Sequence, residues 1–119
     1  MRNVLVIDDD AEHAEIVAAL LRRRGFEVSV ATDGPSGIEL ARRERPDAIV
    51  LDYFMPSLDG IATAQKLRAC RRLKDVPIVF VSAWTEKEAE ARLRGPVRWL
   101  DKPFRAAQLA AAVEEALSP

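Results

Sequence analysis

The sequence predicts an α/β fold in which a parallel sheet is covered by helices on both sides. Two observations lead to this prediction. Short apolar runs alternate five times with helical patterns along the 119 residues, and such alternation is typical of parallel β-α-β units. The apolar runs are also rich in β-branched residues and mostly lack a polar face, as do strands that are buried on both sides.

The first half of the chain contains three predicted strands and two predicted helices. The strands cover residues 4–7, residues 26–31, where polar and apolar side chains alternate, and residues 47–52. Between the first two strands, apolar side chains recur at helical spacing, at Ile16, Val17, Leu20 and Leu21. We expect this first helix to end at Gly25 and the second helix, which contains Ile38, to end at Pro46.

The second half of the chain continues the same alternation. The predicted elements are, in order, a loop over residues 53–60, a helix over residues 61–73, a strand over residues 77–82, a helix over residues 85–93 and a strand over residues 97–101. We expect Pro103 to open a fifth helix, because its missing N–H falls among first-turn N–H groups that have no helical partner.

Length and charge restrict the class of protein. We expect residues 1–119 to form one domain, because this length leaves little room for a second. The formal net charge of −1 argues against a chain built to bind nucleic acid. Two local basic clusters, residues 22–24 and residues 68–74, each follow a helical pattern. We interpret them as solvated helix ends, where the helix dipole favours cations.

Other features of the sequence bear on the compartment. Cys70 is the only cysteine, so no internal disulfide can form and a reducing compartment is the simpler interpretation. No apolar run approaches the ~20 residues that a membrane-spanning helix needs. The N-terminus leads directly into a short strand, without the apolar region of a signal peptide. We therefore expect a cytoplasmic protein that has no contact with a membrane.

Polar side chains follow the apolar strands at the sheet edge where ligands bind in such folds. They are Asp8, Asp9 and Asp10 after the first strand, Asp52 at the end of the third, Ser82 at the end of the fourth and Lys102 after the fifth. Carboxylates that meet repel each other and need a cation, and their oxygens suit Mg²⁺. Lys102 and Ser82 would bind a phosphoryl group for which Asp52 is the nucleophile. Taken alone, each of these residues could simply cap a helix or turn, and we assign that role to Asp10.

These motifs together resemble those of two-component response-regulator receiver domains, over essentially the whole chain. The segments that carry the resemblance are residues 4–10, residues 46–56, Asp59-Gly60, Val81-Ser82-Ala83 and Lys102-Pro103-Phe104. The resemblance implies a flavodoxin-like, doubly wound (βα)5 fold with strand order 2-1-3-4-5. It also implies a signalling switch of a phosphorelay system. Such a switch is not a turnover enzyme, since its chemistry is limited to self-catalysed phosphoryl transfer and slow autodephosphorylation.

The resemblance further implies the partners and the metal. Asp52 matches the residue that accepts a phosphoryl group from a histidine of a sensor kinase or of a histidine phosphotransfer protein. Asp9, Asp52 and the backbone carbonyl of Phe54 match the ligands of Mg²⁺, which Mn²⁺ could replace. Asp8 matches a neighbouring carboxylate of the metal site that reaches the ion through a water. Downstream, the resemblance implies a protein target or a fused output domain, and no contact of this domain with nucleic acid.

The remaining motif residues match the groups that bind phosphate and transmit the signal. Lys102 and the backbone of Ala83 match groups that bind phosphoryl oxygens. Ser82 matches the switch hydroxyl, and Trp99 stands at the aromatic switch position. When Ser82 moves onto the phosphoryl group, Trp99 is expected to rotate and to reshape the face of the fourth helix, fifth strand and fifth helix.

Two aromatic residues stand where the family controls the access of water to the acyl phosphate. Phe54 lies two positions after Asp52, and Trp84 lies two positions after Ser82. Neither side chain can hold an attacking water as Asn, Gln or Glu can, although single surface aromatics are also common. We predict a long-lived phosphoryl group. The stretch from Ser82 to Lys102 is also shorter than is usual in the family, which indicates a shortened fourth helix or preceding loop.

Two other functions remain open on the sequence. Asp8-x-Asp10 after the first strand also fits the nucleophile motif of haloacid-dehalogenase-like phosphatases, although this length leaves no room for their cap domain. A receiver fold that no longer takes phosphate would be a binding module, although none of the motif residues is missing. His13 is the only histidine, and we interpret it as an exposed residue of the first helix.

Overall fold

The structure is a computed structural model that describes residues 2–53, 59–82 and 95–118. Within these residues, five strands form one parallel sheet in the order β2-β1-β3-β4-β5. The strands are β1 (Asn3–Ile7), β2 (Glu27–Ala31), β3 (Ala48–Asp52), β4 (Ile78–Ser82) and β5 (Val97–Asp101). The predicted α/β class and the 2-1-3-4-5 strand order of a flavodoxin-like fold are confirmed.

Four α-helices lie in the described part of the chain: α1 (Ala11–Arg22), α2 (Gly34–Glu44), α3 (Gly60–Ala69) and α4 (Ala106–Leu117). The first three begin directly after an aspartate whose side chain accepts a first-turn N–H, namely Asp10, Asp33 and Asp59. The predicted fourth helix, residues 85–93, lies outside the described residues, so α4 is the helix predicted as the fifth. None of the described helices has the length and apolar character that crossing a membrane requires.

The sheet separates two apolar cores. Leu5 and Ile7 of β1 pack into the core on the side of α2 and α3, whereas Val4 and Val6 pack into the core on the side of α1 and α4. Every residue of β3 and β4 is buried. Because the side chains of a strand alternate between faces, a strand with no polar face is what a sheet covered on both sides requires.

The last helix begins later than Pro103 predicts. α4 starts at Ala106, and the backbone N–H of Arg105 donates to the carboxamide oxygen of Gln108 at 2.7 Å. The side chain of Gln108 thus satisfies a backbone N–H at the start of the helix. Arg105 is therefore the N-cap residue, three positions before Gln108. The residues before it, from Lys102 onward, carry the chain away from the end of β5.

The third helix ends earlier than predicted. α3 stops at Ala69, Cys70 is extended with φ −79° and ψ 119°, and a short 3-10 helix follows over Arg71–Leu73. Arg68 is not the solvated cation that the sequence indicated, because its guanidinium is half-buried and donates to backbone carbonyls after the helix. These contacts hold the connection between α3 and β4 against the start of β5.

Exposure in two elements does not simply follow the sequence pattern. In β2, polar and apolar residues alternate, but Glu27 is exposed, the next three residues are half-buried and only Ala31 is buried. It is an edge strand, and its outer side has no neighbouring strand in the described sheet. Ile16 of α1 has core-like spacing but is 57% exposed. It lines a surface groove next to the candidate site.

Candidate functional site

Asp52 is the last residue of β3, and its side chain is buried at the carboxyl edge of the sheet. The N–H of Gly60, the first residue of α3, donates to the carbonyl of Tyr53 at 2.8 Å. A Cβ atom on Gly60 would lie 2.7 Å from Tyr53 Cα and 2.9 Å from the carbonyl oxygen of Asp52. Only glycine therefore allows α3 to begin this close to the residue that ends β3.

Three carboxylates converge at this edge. Strands β1 and β3 are parallel neighbours, so Asp8, which follows β1, comes to lie beside Asp52. Ligand oxygens of Asp8, Asp9 and Asp52 all lie within 4.8 Å of one another. Asp8 and Asp52 are buried, whereas Asp9 is exposed. A set of carboxylates with one side open to water fits a hard divalent cation such as Mg²⁺, which binds oxygen ligands and keeps some of its waters.

Lys102 reaches the same carboxylates from the far side of β4. Its backbone N–H donates to the carbonyl of Ser82 at 2.8 Å, which continues the pairing of β4 with β5. The side chain then extends back over the sheet edge, and its Nζ donates to Asp52 Oδ1 at 3.2 Å. The peptide bond from Lys102 to Pro103 is cis. The ammonium group and the carboxylates of this one site thus come from residues that are far apart in the sequence.

Burial is the largest of the causes that raise the pKa of Asp52 to about 6, from a usual value of 3.8, because it penalises the charged form. The negative charge of Asp8 acts in the same direction, and the positive charge of Lys102 offsets only part of the effect. A carboxylate held under such conditions gains from any further cation brought close to it.

The structure separates Asp10 from this cluster. Its Oδ1 accepts the backbone N–H of His13 at 3.1 Å, which makes Asp10 the N-cap of α1. Its capping role is therefore confirmed. Asp10 thus faces the helix, and it does not join the three carboxylates as the second acid of a phosphatase motif.

His13 is not the exposed residue that the sequence indicated. Its side chain is 29% exposed, and Nδ1 contacts Oδ2 of Asp8. The position of His13 in the first turn of α1, directly after the acidic loop, is the signal in the sequence that could have revealed this contact. A side chain in that turn points back toward the N-terminal end of the helix, which here is the sheet edge that carries Asp8.

The predicted switch residues occupy neighbouring strands. Ser82 ends β4 and is buried. Trp99 lies opposite Phe80 in the β4–β5 register, and the two rings stack with centroids 4.6 Å apart at 16°. The ring of Tyr53 lies 5.9 Å from that of Trp99. Within the described residues, Trp99 Nε1 is buried and has no hydrogen-bond partner.

Three predicted residues lie outside the described part of the chain. They are Phe54, predicted as a backbone metal ligand and an aromatic wall, Ala83, predicted to bind phosphoryl oxygens, and Trp84, predicted to restrict water. Their roles stay predictions.

An apolar groove of about 540 Å³ adjoins the site. Along α1 it is lined by His13, Ile16, Val17 and Leu20, and after β5 by Lys102, Pro103 and Phe104. Two of its residues also touch the acidic site, because His13 contacts Asp8 and Lys102 contacts Asp52. The groove therefore connects directly with the candidate catalytic groups.

Comparisons with known proteins agree on one family. The family model described as the response regulator receiver domain matches residues 4–114. Transcriptional regulatory protein PrrA of Mycobacterium tuberculosis is 40% identical over 116 residues, which cover 96% of this chain and 49% of PrrA. The chain thus spans about half the length of that curated relative.

Two solved structures extend the comparison to the fold. The chemotaxis protein CheY4 of Vibrio cholerae has a TM-score of 0.89 at 29% identity, with 98% of this chain and 99% of that chain covered. The receiver domain of the sensor histidine kinase PA1611 from Pseudomonas aeruginosa has a TM-score of 0.85 at 27% identity, with 98% and 97% covered. That structure is described with a magnesium ion coordinated in the active site cleft.

Proposed function

Because this chain belongs to the family of response regulator receiver domains, we propose that it is a phosphorylation-controlled switch whose phosphoacceptor is Asp52. One observation carries the proposal. The carboxylate of Asp52 lies 3.2 Å from the ammonium group of Lys102 and within 4.8 Å of the oxygens of Asp8 and Asp9. A nucleophile between a fixed cation and a candidate metal site is the arrangement that phosphoryl transfer requires.

In the proposed reaction, a carboxylate oxygen of Asp52 attacks the phosphorus atom of a phosphohistidine. The donor is a sensor histidine kinase or a histidine phosphotransfer protein. The oxygen–phosphorus bond forms as the phosphorus–nitrogen bond breaks, and the electron pair of that bond returns to the donor imidazole. Only the ionised carboxylate is nucleophilic, so Lys102 assists by opposing the rise in the pKa of Asp52. After transfer, Lys102 is within reach of a phosphoryl oxygen.

Mg²⁺ is the cation that we propose for the acidic site. Asp8, Asp9 and Asp52 would hold it together with the backbone carbonyl of Phe54. When bound, the metal supplies positive charge that offsets the carboxylates and the transferring phosphoryl group. The magnesium ion described for the PA1611 receiver domain supports this assignment. Mn²⁺ is expected to replace Mg²⁺, since it also suits carboxylate and water ligands.

The signal would leave the site through Ser82 and Trp99. We propose that the Ser82 hydroxyl and the backbone N–H of Ala83 bind phosphoryl oxygens. Movement of Ser82 at the end of β4 would then reach Trp99 through its stacked neighbour Phe80. The surface that changes would be that of β5, α4 and the predicted fourth helix. The charge of one phosphoryl group on Asp52 would thus shift the equilibrium between two conformations of this surface.

The lifetime of the phosphoryl group is a separate part of the proposal. Phe54 and Trp84 would shield the acyl phosphate from water and slow its hydrolysis. Loss of radiolabel from the purified phosphoprotein tests this directly. The variants Phe54→Asn and Trp84→Glu are expected to lose phosphate faster than the wild type. Equal rates in all three proteins would contradict the shielding.

The organisation around this domain is also proposed. We infer that residues 1–119 form one receiver domain in the cytoplasm, without contact to nucleic acid or membrane of its own. It would act on a protein target or on a fused output domain. It would not be a turnover enzyme, because its chemistry ends at transfer onto Asp52 and slow autodephosphorylation. The groove beside Lys102 would receive the phosphohistidine-bearing donor, since it is apolar and is lined by Lys102, which contacts the acceptor.

Intact mass spectrometry after treatment with acetyl phosphate and Mg²⁺ tests the central proposal. We expect the wild type to gain the mass of one phosphoryl group and Asp52→Asn to gain none. Glu39→Gln, which removes an exposed carboxylate of α2, is the matched control and should label normally. Labelling of Asp52→Asn, or no labelling of the wild type by acetyl phosphate or a phosphohistidine donor, would contradict the proposal. Release of phosphate from small phosphomonoesters that Asp8→Asn abolishes and Asp52→Asn does not would instead favour a phosphatase.

A further inference from the structure

The contact between His13 and Asp8 carries an inference beyond the acceptor itself. We propose that His13 is a positioning residue of the metal site, which holds the Asp8 carboxylate in the orientation that binds the cation. The inference rests on the proposed function, because it assumes that Asp8, Asp9 and Asp52 bind Mg²⁺. It concerns a residue outside the carboxylate cluster, on the first turn of α1.

Both oxygens of Asp8 are engaged in the structure. Oδ1 accepts the backbone N–H of Asp10 at 3.0 Å, and Oδ2 contacts Nδ1 of His13. In the proposed site, where Asp8 faces a cation, its carboxylate accepts and Nδ1 of His13 would be the donor. The two donors lie on different parts of the chain, one in the loop after β1 and one on α1. Together they fix both the rotamer of Asp8 and the plane of its carboxylate.

The imidazole is itself held in place. The ring of Phe104 meets that of His13 edge-on, with centroids 6.2 Å apart and an interplanar angle of 66°. The first turn of α1 is anchored by the cap between Asp10 and the N–H of His13. A ring packed on one side and fixed at its backbone loses little freedom when it donates to Asp8. This is the property that a supporting hydrogen bond to a metal ligand requires.

The contact matters because Asp8 is placed among like charges. Asp8 is 4% exposed and faces the carboxylate of Asp52. Without the donor from α1, repulsion would favour rotation of Asp8 away from Asp52, and a cation would first have to restore the orientation. Removal of a hydrogen-bond partner behind a metal ligand typically costs about 10- to 100-fold in affinity. His13 is therefore expected to tighten Mg²⁺ binding.

Isothermal titration of the unphosphorylated protein with MgCl₂ tests the inference. We expect His13→Leu to bind Mg²⁺ about tenfold more weakly than the wild type. His13→Asn should stay within about threefold of the wild type, because its amide nitrogen is bonded to Cγ as Nδ1 is and can donate to Asp8. Ala19→Leu, at an exposed position of the same helix and outside the groove, is the matched control and should bind normally.

Labelling with acetyl phosphate separates positioning from a general structural defect. In His13→Leu, the Mg²⁺ concentration that gives half the maximal labelling rate should rise about tenfold, while the rate at saturating Mg²⁺ stays near that of the wild type. Tighter or unchanged Mg²⁺ binding by His13→Leu, or no rescue by His13→Asn, would overturn the inference. If the wild type itself binds no Mg²⁺, the proposed function fails first, so the two failures are distinguishable.

Discussion

The ammonium nitrogen of Lys102 lies 3.2 Å from Oδ1 of Asp52, although β4 separates the two strands at whose ends these residues stand. This is the only Lys or Arg side chain that forms an ion pair with the three carboxylates in the described part of the chain. One cation therefore faces three acids. The pKa of Asp52 stays near 6 because burial and the charge of Asp8 outweigh Lys102. Without a metal ion, the negative charge of the three carboxylates is only partly balanced, and the first two predictions rest on this imbalance.

The first prediction concerns the free energy of unfolding as a function of pH. The pKa of Asp52 is higher in the folded state, about 6, than its usual 3.8, so its ionised form destabilises the fold. This cost is present in full above pH ~6 and is relieved as the pH falls toward 3.8. We expect Asp52→Asn to be about 1–3 kcal/mol more stable than the wild type at pH 7.5 without Mg²⁺. The advantage should shrink by about 1 kcal/mol at pH 5.

Urea unfolding of both proteins in EDTA at the two pH values measures that difference. Most other titrating groups are common to both proteins, so their contributions to the pH dependence cancel in the difference between the two free energies of unfolding. Glu39→Gln, at an exposed site on α2, should track the wild type at both values. A difference between Asp52→Asn and the wild type that does not change with pH would contradict the raised pKa.

The second prediction concerns stabilisation by Mg²⁺. A cation that binds only the folded state raises stability by about 1.4 kcal/mol when its concentration is roughly tenfold above the dissociation constant. For a domain of this size, that corresponds to a rise in Tm of about 6 °C. Thermal unfolding in EDTA and in MgCl₂ should show this rise in the wild type. Asp9→Asn should lose most of it, whereas Glu114→Gln on α4 should keep it. An equal rise in both variants would place the bound cation elsewhere.

The residues at the strand ends could be predicted because burial of a strand determines both its apolar pattern and the position of the polar residue at its carboxyl end. Apolar strands that are buried on both faces leave their first polar residue at the carboxyl edge. Asp8, Asp52 and Ser82 follow from that rule. Lys102 does not, because β5 is only partly buried and already contains Arg98 and Asp101, so Lys102 was identified by its motif. Strand order and the family were likewise available from the motifs, and the structure and comparisons confirm them.

The missed features depend on side-chain contacts that apolar periodicity does not encode. His13 contacts Asp8 from the first turn of α1, so only its position after the acidic loop could have indicated the contact. Arg68 is half-buried because three carbonyls from two connections converge on its guanidinium, and no pattern in the sequence marks that convergence. Exposure of Ile16 also could not be predicted, since its helical spacing is that of a core residue. Whether such a side chain is covered depends on what packs beside α1.

The third prediction concerns Trp99. Its ring stacks on Phe80 at 4.6 Å, but its Nε1 is buried without a partner among the described residues. We expect Trp99→Ala to cost about 2–3 kcal/mol of unfolding free energy, since the half-buried ring leaves a void over Phe80. Trp99→Phe should cost less than about 1 kcal/mol, because the lost area is partly offset by removal of an unpaired N–H. Chemical denaturation without Mg²⁺ measures both variants.

A large cost for Trp99→Phe would contradict this account. It would indicate that Nε1 has a strong hydrogen-bond partner that the described residues do not supply. Labelling of Trp99→Phe with acetyl phosphate should be unaffected, because Trp99 is proposed to act after phosphoryl transfer. A lost labelling capacity would therefore contradict the proposed order of events.

The fourth prediction concerns Arg68, whose guanidinium donates to three backbone carbonyls in two connections. Nη1 donates to the carbonyls of Leu73, at 3.0 Å, and Val76, and Nη2 donates to that of Pro96 at 2.7 Å. Burial lowers its pKa, while Asp75 acts in the opposite direction. The contacts fix the start of β4 to the start of β5, next to Gly95, whose φ of +80° favours glycine.

Loss of this guanidinium should leave all three carbonyls without their charged donor at once. We expect Arg68→Ala to lower the free energy of unfolding by about 2–3 kcal/mol. Arg68→Lys should recover only part of it, because one ammonium group cannot reproduce the planar fork that spans two connections. Arg71→Ala, at an exposed position of the 3-10 helix in the same basic cluster, should change stability by less than about 0.5 kcal/mol. Equal effects at both positions in urea unfolding would mean that Arg68 acts only as another surface cation, as the sequence first indicated.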